Sequence, residues 1–249
     1  MAARAPTSSL PSEAQLPVPK VPLKLVGLLE TYHLRWWSRQ VRRRAIVTDW
    51  NRAHSAIFVH IPKTAGTTVL DFLGAEHVFD THAPALTYKE ADPELFARAF
   101  KFAFIRNPWD RFASAFHHMK TGTDWPMQQA WAKRHIGDRD FATFVRRLRN
   151  PLFRQVVLSE RFFWPQSFWV TGEQGELLVD ELYRFEDLHE ALSALAERLG
   201  LTPPKAVPAR RKSDRQSSRH LYSDPELVEL VGSLYEEDAK RFGYGFSAD

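Results

Sequence analysis

The sequence predicts a three-layer α/β/α fold around a central parallel sheet. Two short apolar runs, residues 56–61 and 102–105, each read as a buried strand that passes through a tight turn into a helix. Around them strand-like and helix-like segments alternate, which is the pattern of parallel strands joined by crossovers with helices on both faces. At 249 residues, 44% hydrophobic and 13% aromatic, the chain can bury a sizeable core and sits at the upper end of single-domain length.

Taken in order, residues 1–20, with Pro6, Pro11, Pro17 and Pro19, read as a disordered tail. Residues 21–50 read as a helical N-terminal segment, in which Trp36, Trp37 and Val41 run beside Arg39, Arg42, Arg43 and Arg44. The expected role is packing on the domain with the arginines solvated; the alternative is a peripheral membrane or partner-binding helix, since interfacial helices combine Trp with Arg. Residues 51–249 are expected to form one domain. It opens with Ser55-Ala-Ile-Phe-Val-His-Ile-Pro-Lys-Thr-Ala-Gly-Thr-Thr-Val-Leu-Asp-Phe-Leu73, a strand, a loop and a helix from residue 67. The loop carries Lys63, Gly66 and the hydroxyls of Thr64, Thr67 and Thr68, where a helix start exposes unpaired N–H groups and so offers an anion site.

Residues 76–80 are expected to form a second short strand, and Asp92-Pro93-Glu94 to start a helix that runs to residue 99. The next informative stretch is Phe100-Lys-Phe-Ala-Phe-Ile-Arg-Asn-Pro-Trp-Asp-Arg-Phe-Ala-Ser-Ala-Phe116. Its strand ends at Arg106, Asn107 caps a helix with Pro108 at its first position, and Ser114 falls on the second turn. Residues 121–165 read as mostly helical and as an insertion that could shape a ligand site. Residues 168–171 and 177–183 read as strands, 186–199 as a helix and 200–222 as a long basic loop with Arg210, Arg211, Lys212 and Arg215. Ser223-Asp224-Pro225 starts a last helix that ends near Gly243.

Composition narrows the chemistry. Thirty-four Lys and Arg against thirty Asp and Glu give a formal charge of +4, too mild for a general nucleic-acid binder and suited to a polyanionic small ligand. With no cysteine, disulfides, thiolate nucleophiles and Cys-based zinc sites are excluded. No window approaches the roughly 18 apolar residues of a membrane span, and no signal peptide is recognisable. The expected location is the cytoplasm, with peripheral membrane contact through residues 21–50 as a weaker expectation.

The opening loop is not a Walker A sequence, because Lys63 precedes Gly66 by three residues instead of following the last glycine. His60-Ile-Pro-Lys-Thr-Ala-Gly-Thr-Thr68 resembles the 5′-phosphosulfate loop of the sulfotransferases that use 3′-phosphoadenosine 5′-phosphosulfate (PAPS), in the branch of carbohydrate and heparan 2-O-sulfotransferases and many bacterial relatives. Phe104-Ile-Arg-Asn-Pro-Trp-Asp-Arg-Phe-Ala-Ser114 resembles the 3′-phosphate segment of that family, and Arg184-Phe-Glu-Asp-Leu188 and Leu234-Tyr-Glu-Glu-Asp-Ala-Lys-Arg-Phe-Gly-Tyr244 resemble later landmarks. The resemblance spans residues 56–246. It implies a fold related to the P-loop kinases and transfer of a sulfuryl group from PAPS to an acceptor hydroxyl, expected on a carbohydrate.

In that reading Lys63 stabilises the bridging oxygen, and the loop residues Thr64, Ala65, Gly66, Thr67 and Thr68 hold the 5′-phosphate, with the Gly66 to Thr68 amides among their donors. Arg106 and Ser114 hold the 3′-phosphate. Arginine offers the fork for a terminal phosphate, and lysine a point charge for a single oxygen. His82 is the expected general base, with a surface histidine as its alternative, and His60 is the second candidate. Glu186 reads as a helix N-terminal carboxylate; Gln166 resembles a recurrent family residue of open role. No metal is expected, since a sulfuryl group carries less charge than a phosphoryl group and the Asp and His residues suggest no metal cluster. The rival readings are a P-loop-type small-molecule kinase, which would require Mg²⁺, and a non-catalytic nucleotide-binding module.

Overall fold

The computed structural model describes residues 46–75, 82–123, 125–204 and 218–246. The expected strand at 76–80, the tail, most of the N-terminal segment and Arg210, Arg211, Lys212 and Arg215 lie outside the described residues. The sheet has three parallel strands in the order β1 (Ala56–Val59), β2 (Phe100–Ile105) and β3 (Glu181–Arg184) among the described residues. Its register pairs Phe58 with Phe102 and Phe104 with Tyr183.

Side chains alternate across the sheet, as a pleated strand requires. Ala56, Phe58, Phe102, Phe104 and Tyr183 pack on one face against α1 (Asp49–His54), α2 (Gly66–Leu73) and α10 (Leu188–Leu199). Ile57, Val59, Ala103, Ile105 and Leu182 pack on the other against α3 (Ala85–Ala91), α4 (Pro93–Arg98) and α9 (Gln166–Val170). The strands are therefore apolar on both faces, which is why they read as continuous hydrophobic runs. The chain is a three-layer α/β/α protein. A third cluster joins α5 (Pro108–Thr121), α6 (Pro126–His135), α7 (Phe141–Arg146), α8 (Pro151–Ser159) and α11 (Pro225–Leu234) around Phe112, Phe116, Phe144 and Phe163.

Local signals start the helices where expected. Asp92 accepts from the Leu95 amide ahead of Pro93, and Asn107 accepts from the Trp109 amide ahead of Pro108. α1 opens with a capping box between Thr48 and Asn51 and crosses the boundary expected at residue 50.

Three expectations fail. Residues 168–171 form no strand: Phe168, Trp169 and Val170 belong to α9. Short apolar runs fit either conformation. Here the choice is made from a distance, by the fully buried Asp238, whose carboxylate accepts from the Gln166 amide at 2.6 Å and the Ser167 amide at 2.8 Å. A carboxylate there satisfies exposed helix donors and the positive end of the helix. The strand expected at 177–183 reduces to a single bridge, Thr171 to Leu177, and β3. The last helix also breaks at Tyr235 into α11 and α12 (Glu236–Phe242); the Tyr235 hydroxyl donates to the Phe163 carbonyl at 2.7 Å.

Removing the distant cap should be costly. Asp238→Ala leaves two buried amides without an acceptor and is expected to lower stability by about 2–4 kcal/mol, read as a urea midpoint. A second test concerns His135, which burial and then the Arg134, Arg147 and Arg139 charges push down to about 4. Because the unfolded imidazole titrates near 6.5, the unfolded chain binds more protons between these values. Stability should fall as pH drops from about 6.5 to about 4, and His135→Gln should flatten that slope in the same urea series.

Candidate functional site at the ends of the first two strands

β1 ends at Val59 and the chain turns before α2 begins at Gly66. Thr64, fully buried, donates its hydroxyl to the Ile61 carbonyl at 2.9 Å and so closes the loop from inside. That hydroxyl was expected to face a ligand, and it is spent on the loop; the Thr64 backbone amide is the group left for the expected role. Lys63 and Ala65 sit in the left-handed region, at φ 70° and 67°. Each carries about 1–2 kcal/mol of steric cost. Left-handed residues leading into a helix turn successive N–H groups toward one concavity, an anion-binding nest. No side chain caps α2, so the Gly66, Thr67 and Thr68 amides have no helical acceptor. The Thr67 and Thr68 side chains lie at the mouth, the first exposed and the second half-buried.

Gly66 is needed for space. Its φ lies outside the left-handed region, but a Cβ there would fall 1.6 Å from His60 Nε2. The His60 ring is a buried wedge under the loop, stacked on Phe58 at 5.5 Å between centroids. This favours a packing role over the base role for which it was the second candidate.

The second junction follows β2. Arg106 is 4% exposed and its guanidinium lies 4.2 Å above the Phe185 ring. Arg106 Nη1 donates to the Lys63 carbonyl at 3.4 Å, which brings the two expected anion-binding segments together. Gln166 grips the Arg106 backbone from both sides: Oε1 accepts its N–H and Nε2 donates to its C=O, each at 2.8 Å. Nothing in the sequence assigned Gln166 this task, because its partner is sixty residues away. Ser114, buried on α5, makes no hydrogen bond through its hydroxyl among the described residues. Unlike α2, α5 is capped by its own Asn107, so an anion here would be held by side chains.

His82 stands beside the first junction, its ring 4.1 Å from that of His60. Its Nδ1 lies 3.1 Å from the His60 carbonyl, and a carbonyl only accepts, so Nδ1 carries the proton. In the neutral ring the basic nitrogen is then Nε2. Phe162 and Trp169, which sequence reasoning missed, wall His82 edge-on at 6.0 and 6.3 Å. The turn carrying Phe162 is fastened by the fully buried Arg111, which donates to the carbonyls of Phe162 and Trp164.

Glu186 does cap a helix start, but not that of its own helix. α10 begins at Leu188 after Asp187, while Glu186 Oε1 accepts from the Asn107 amide, at the start of α5, at 2.7 Å. The donor set of the two junctions, uncapped amides, Lys63, Arg106 and hydroxyls, suits a ligand with two separated anionic groups. Among the described residues no group of three or more His, Asp or Glu could hold a metal ion, and no helix is long and apolar enough to cross a membrane.

Fold and junctions thus define an α/β protein that gathers groups chemically suited to an anion at the C-terminal ends of its first two strands. The chain belongs to the sulfotransferase family: residues 48–245 match the model of that name. No curated protein and no solved structure matched it.

The close approach of His60 and Gly66 makes a paired prediction. Gly66→Ala should destabilise the fold by about 1–3 kcal/mol through overpacking, and His60→Ala in the same chain should recover most of that loss in thermal unfolding.

Proposed function

We propose that this sulfotransferase takes its sulfuryl group from PAPS and places it on a hydroxyl of a carbohydrate acceptor. The observation that carries this reading is the Arg106 to Lys63 hydrogen bond, which ties the loop before an uncapped helix start to a buried arginine, with Ser114 buried on the helix that follows that arginine. Two linked anion sites of different construction fit a nucleotide phosphorylated at both 3′ and 5′ positions. The uncapped amides of α2 with Thr67 and Thr68 would hold the 5′-phosphate, and the Arg106 fork with Ser114 the 3′-phosphate.

PAPS, when bound, supplies a sulfuryl group activated by its link to the 5′-phosphate. Lys63 offers a point charge at the loop for the oxygen that carries away the negative charge. His82, held by the His60 carbonyl with Nδ1 protonated, presents Nε2 as the acceptor of the hydroxyl proton as the new oxygen–sulfur bond forms. The Phe162 and Trp169 rings stand edge-on beside the imidazole and give it an aromatic wall. The carbohydrate acceptor rests on the resemblance of the loop to the carbohydrate branch, and the proposed site of action is the cytoplasm.

Calorimetry should find adenosine 3′,5′-bisphosphate bound more tightly than ATP with or without Mg²⁺; tighter, Mg²⁺-dependent ATP binding would favour a kinase. With labelled PAPS and a panel of sugar and non-sugar hydroxyls, Lys63→Ala should abolish transfer with modest loss of nucleotide affinity. His82→Ala should slow it by about 10² to 10⁴-fold. Nucleotide binding with no transfer to any acceptor would leave a binding module.

A further inference from the structure

Arg184-Phe185-Glu186 begins at the last residue of β3, and each of its side chains grips something different. Arg184 donates to the Phe242 carbonyl at 2.7 Å and lies 4.3 Å above the Tyr244 ring. Phe185, half-buried, lies under the Arg106 guanidinium at 4.2 Å. Glu186 accepts from the Asn107 amide through Oε1 and from the Tyr244 hydroxyl through Oε2, the latter at 2.9 Å. Asn107 Nδ2 in turn donates to the Gly245 carbonyl at 3.1 Å. Residues 184–186 therefore hold Arg106 by its face, the next residue by its amide, and the segment 242–245 across both.

A buried arginine makes a selective phosphate site only if its fork is already oriented. Its side chain has large rotamer freedom, and ordering it at the moment of binding costs affinity. A ring against the face of the guanidinium removes that freedom while leaving the edge N–H groups able to donate. Glu186 adds the second constraint, since fixing the Asn107 amide fixes the backbone from which Arg106 projects. Burial and the Glu186 charge push the Tyr244 phenol well up, so its hydroxyl remains a donor.

The geometry points to Phe185 and the Glu186–Tyr244 pair as positioning residues that set the selectivity of the Arg106 site for a 3′-phosphorylated nucleotide. This rests on the reading of Arg106 given above. They act through Arg106 and Asn107 and need touch no ligand themselves.

The test is the ratio of affinities for adenosine 3′,5′-bisphosphate and adenosine 5′-phosphate, by calorimetry on the full chain. The ratio is insensitive to the fraction of protein folded. Arg106→Gln should abolish the preference for the bisphosphate. Phe185→Leu should reduce it about three- to tenfold with 5′-phosphate affinity unchanged, and Phe185→Tyr should restore it. Tyr244→Phe and Glu186→Gln should each reduce it about two- to threefold. An intact ratio in Phe185→Leu and Tyr244→Phe beside a collapsed one in Arg106→Gln overturns the positioning role alone. Equal losses for both ligands in Phe185→Leu overturn it as well, since a merely structural defect does that. An unchanged ratio in Arg106→Gln overturns the 3′-phosphate reading and the inference together.

Discussion

The reciprocal pair of hydrogen bonds between the Gln166 side chain and the Arg106 backbone is the constraint on which the site depends. Arg106 is the first residue past the end of β2, deep inside the protein, where its amide and carbonyl have run out of strand neighbours. Buried backbone groups must be paired, and the Gln166 amide does what an adjacent strand would do. Gln166 is itself fixed because Asp238 accepts its N–H. A buried polar chain thus runs from α12 through α9 to Arg106 and on to the Lys63 carbonyl. The Asp238 carboxylate, the Gln166 side chain and the Arg106 backbone are paired along it, which adds rigidity there.

The two junctions solve the same problem by opposite means. After β1 the helix start is left uncapped and two non-glycine residues take left-handed conformations, so the backbone itself is the proposed anion donor. Such strain persists only where the surroundings over-determine it. Here Thr64 closes the turn from within and the His60 ring occupies the space beside Gly66. After β2 the helix start is capped by Asn107, and the groups proposed to bind the anion are a buried arginine just before the cap and a hydroxyl on the second turn. The first depends on backbone shape, the second on holding one long side chain still.

Much of this was legible because it is local. Proline at a first helical position with Asp92 or Asn107 before it fixed two helix starts, and the unbroken apolar runs at β1 and β2 marked strands buried on both faces. The helix at Gln166–Val170 was misread as a strand because the group that caps it, Asp238, lies far along the chain. Glu186 was assigned to the nearest helix start, since spacing shows only neighbours, whereas its amide partner is seventy-nine residues away. Thr64 was counted with Thr67 and Thr68, though only the course of the loop tells an inward hydroxyl from an outward one.

By itself the sequence determined the fold class, the order of the two junctions and the residue types at each, because these follow from short-range periodicity, capping and spacing, and it pointed to the family through the resemblance of its two motifs. The tertiary structure alone decided that Gly66 is demanded by the His60 ring, that His82 carries its proton on Nδ1, and that Gln166, Phe185 and Glu186 converge on Arg106 and its neighbour. Those outcomes depend on contacts between segments remote in the chain, and no local pattern of residues encodes which distant group will arrive to satisfy a buried donor or hold a buried charge.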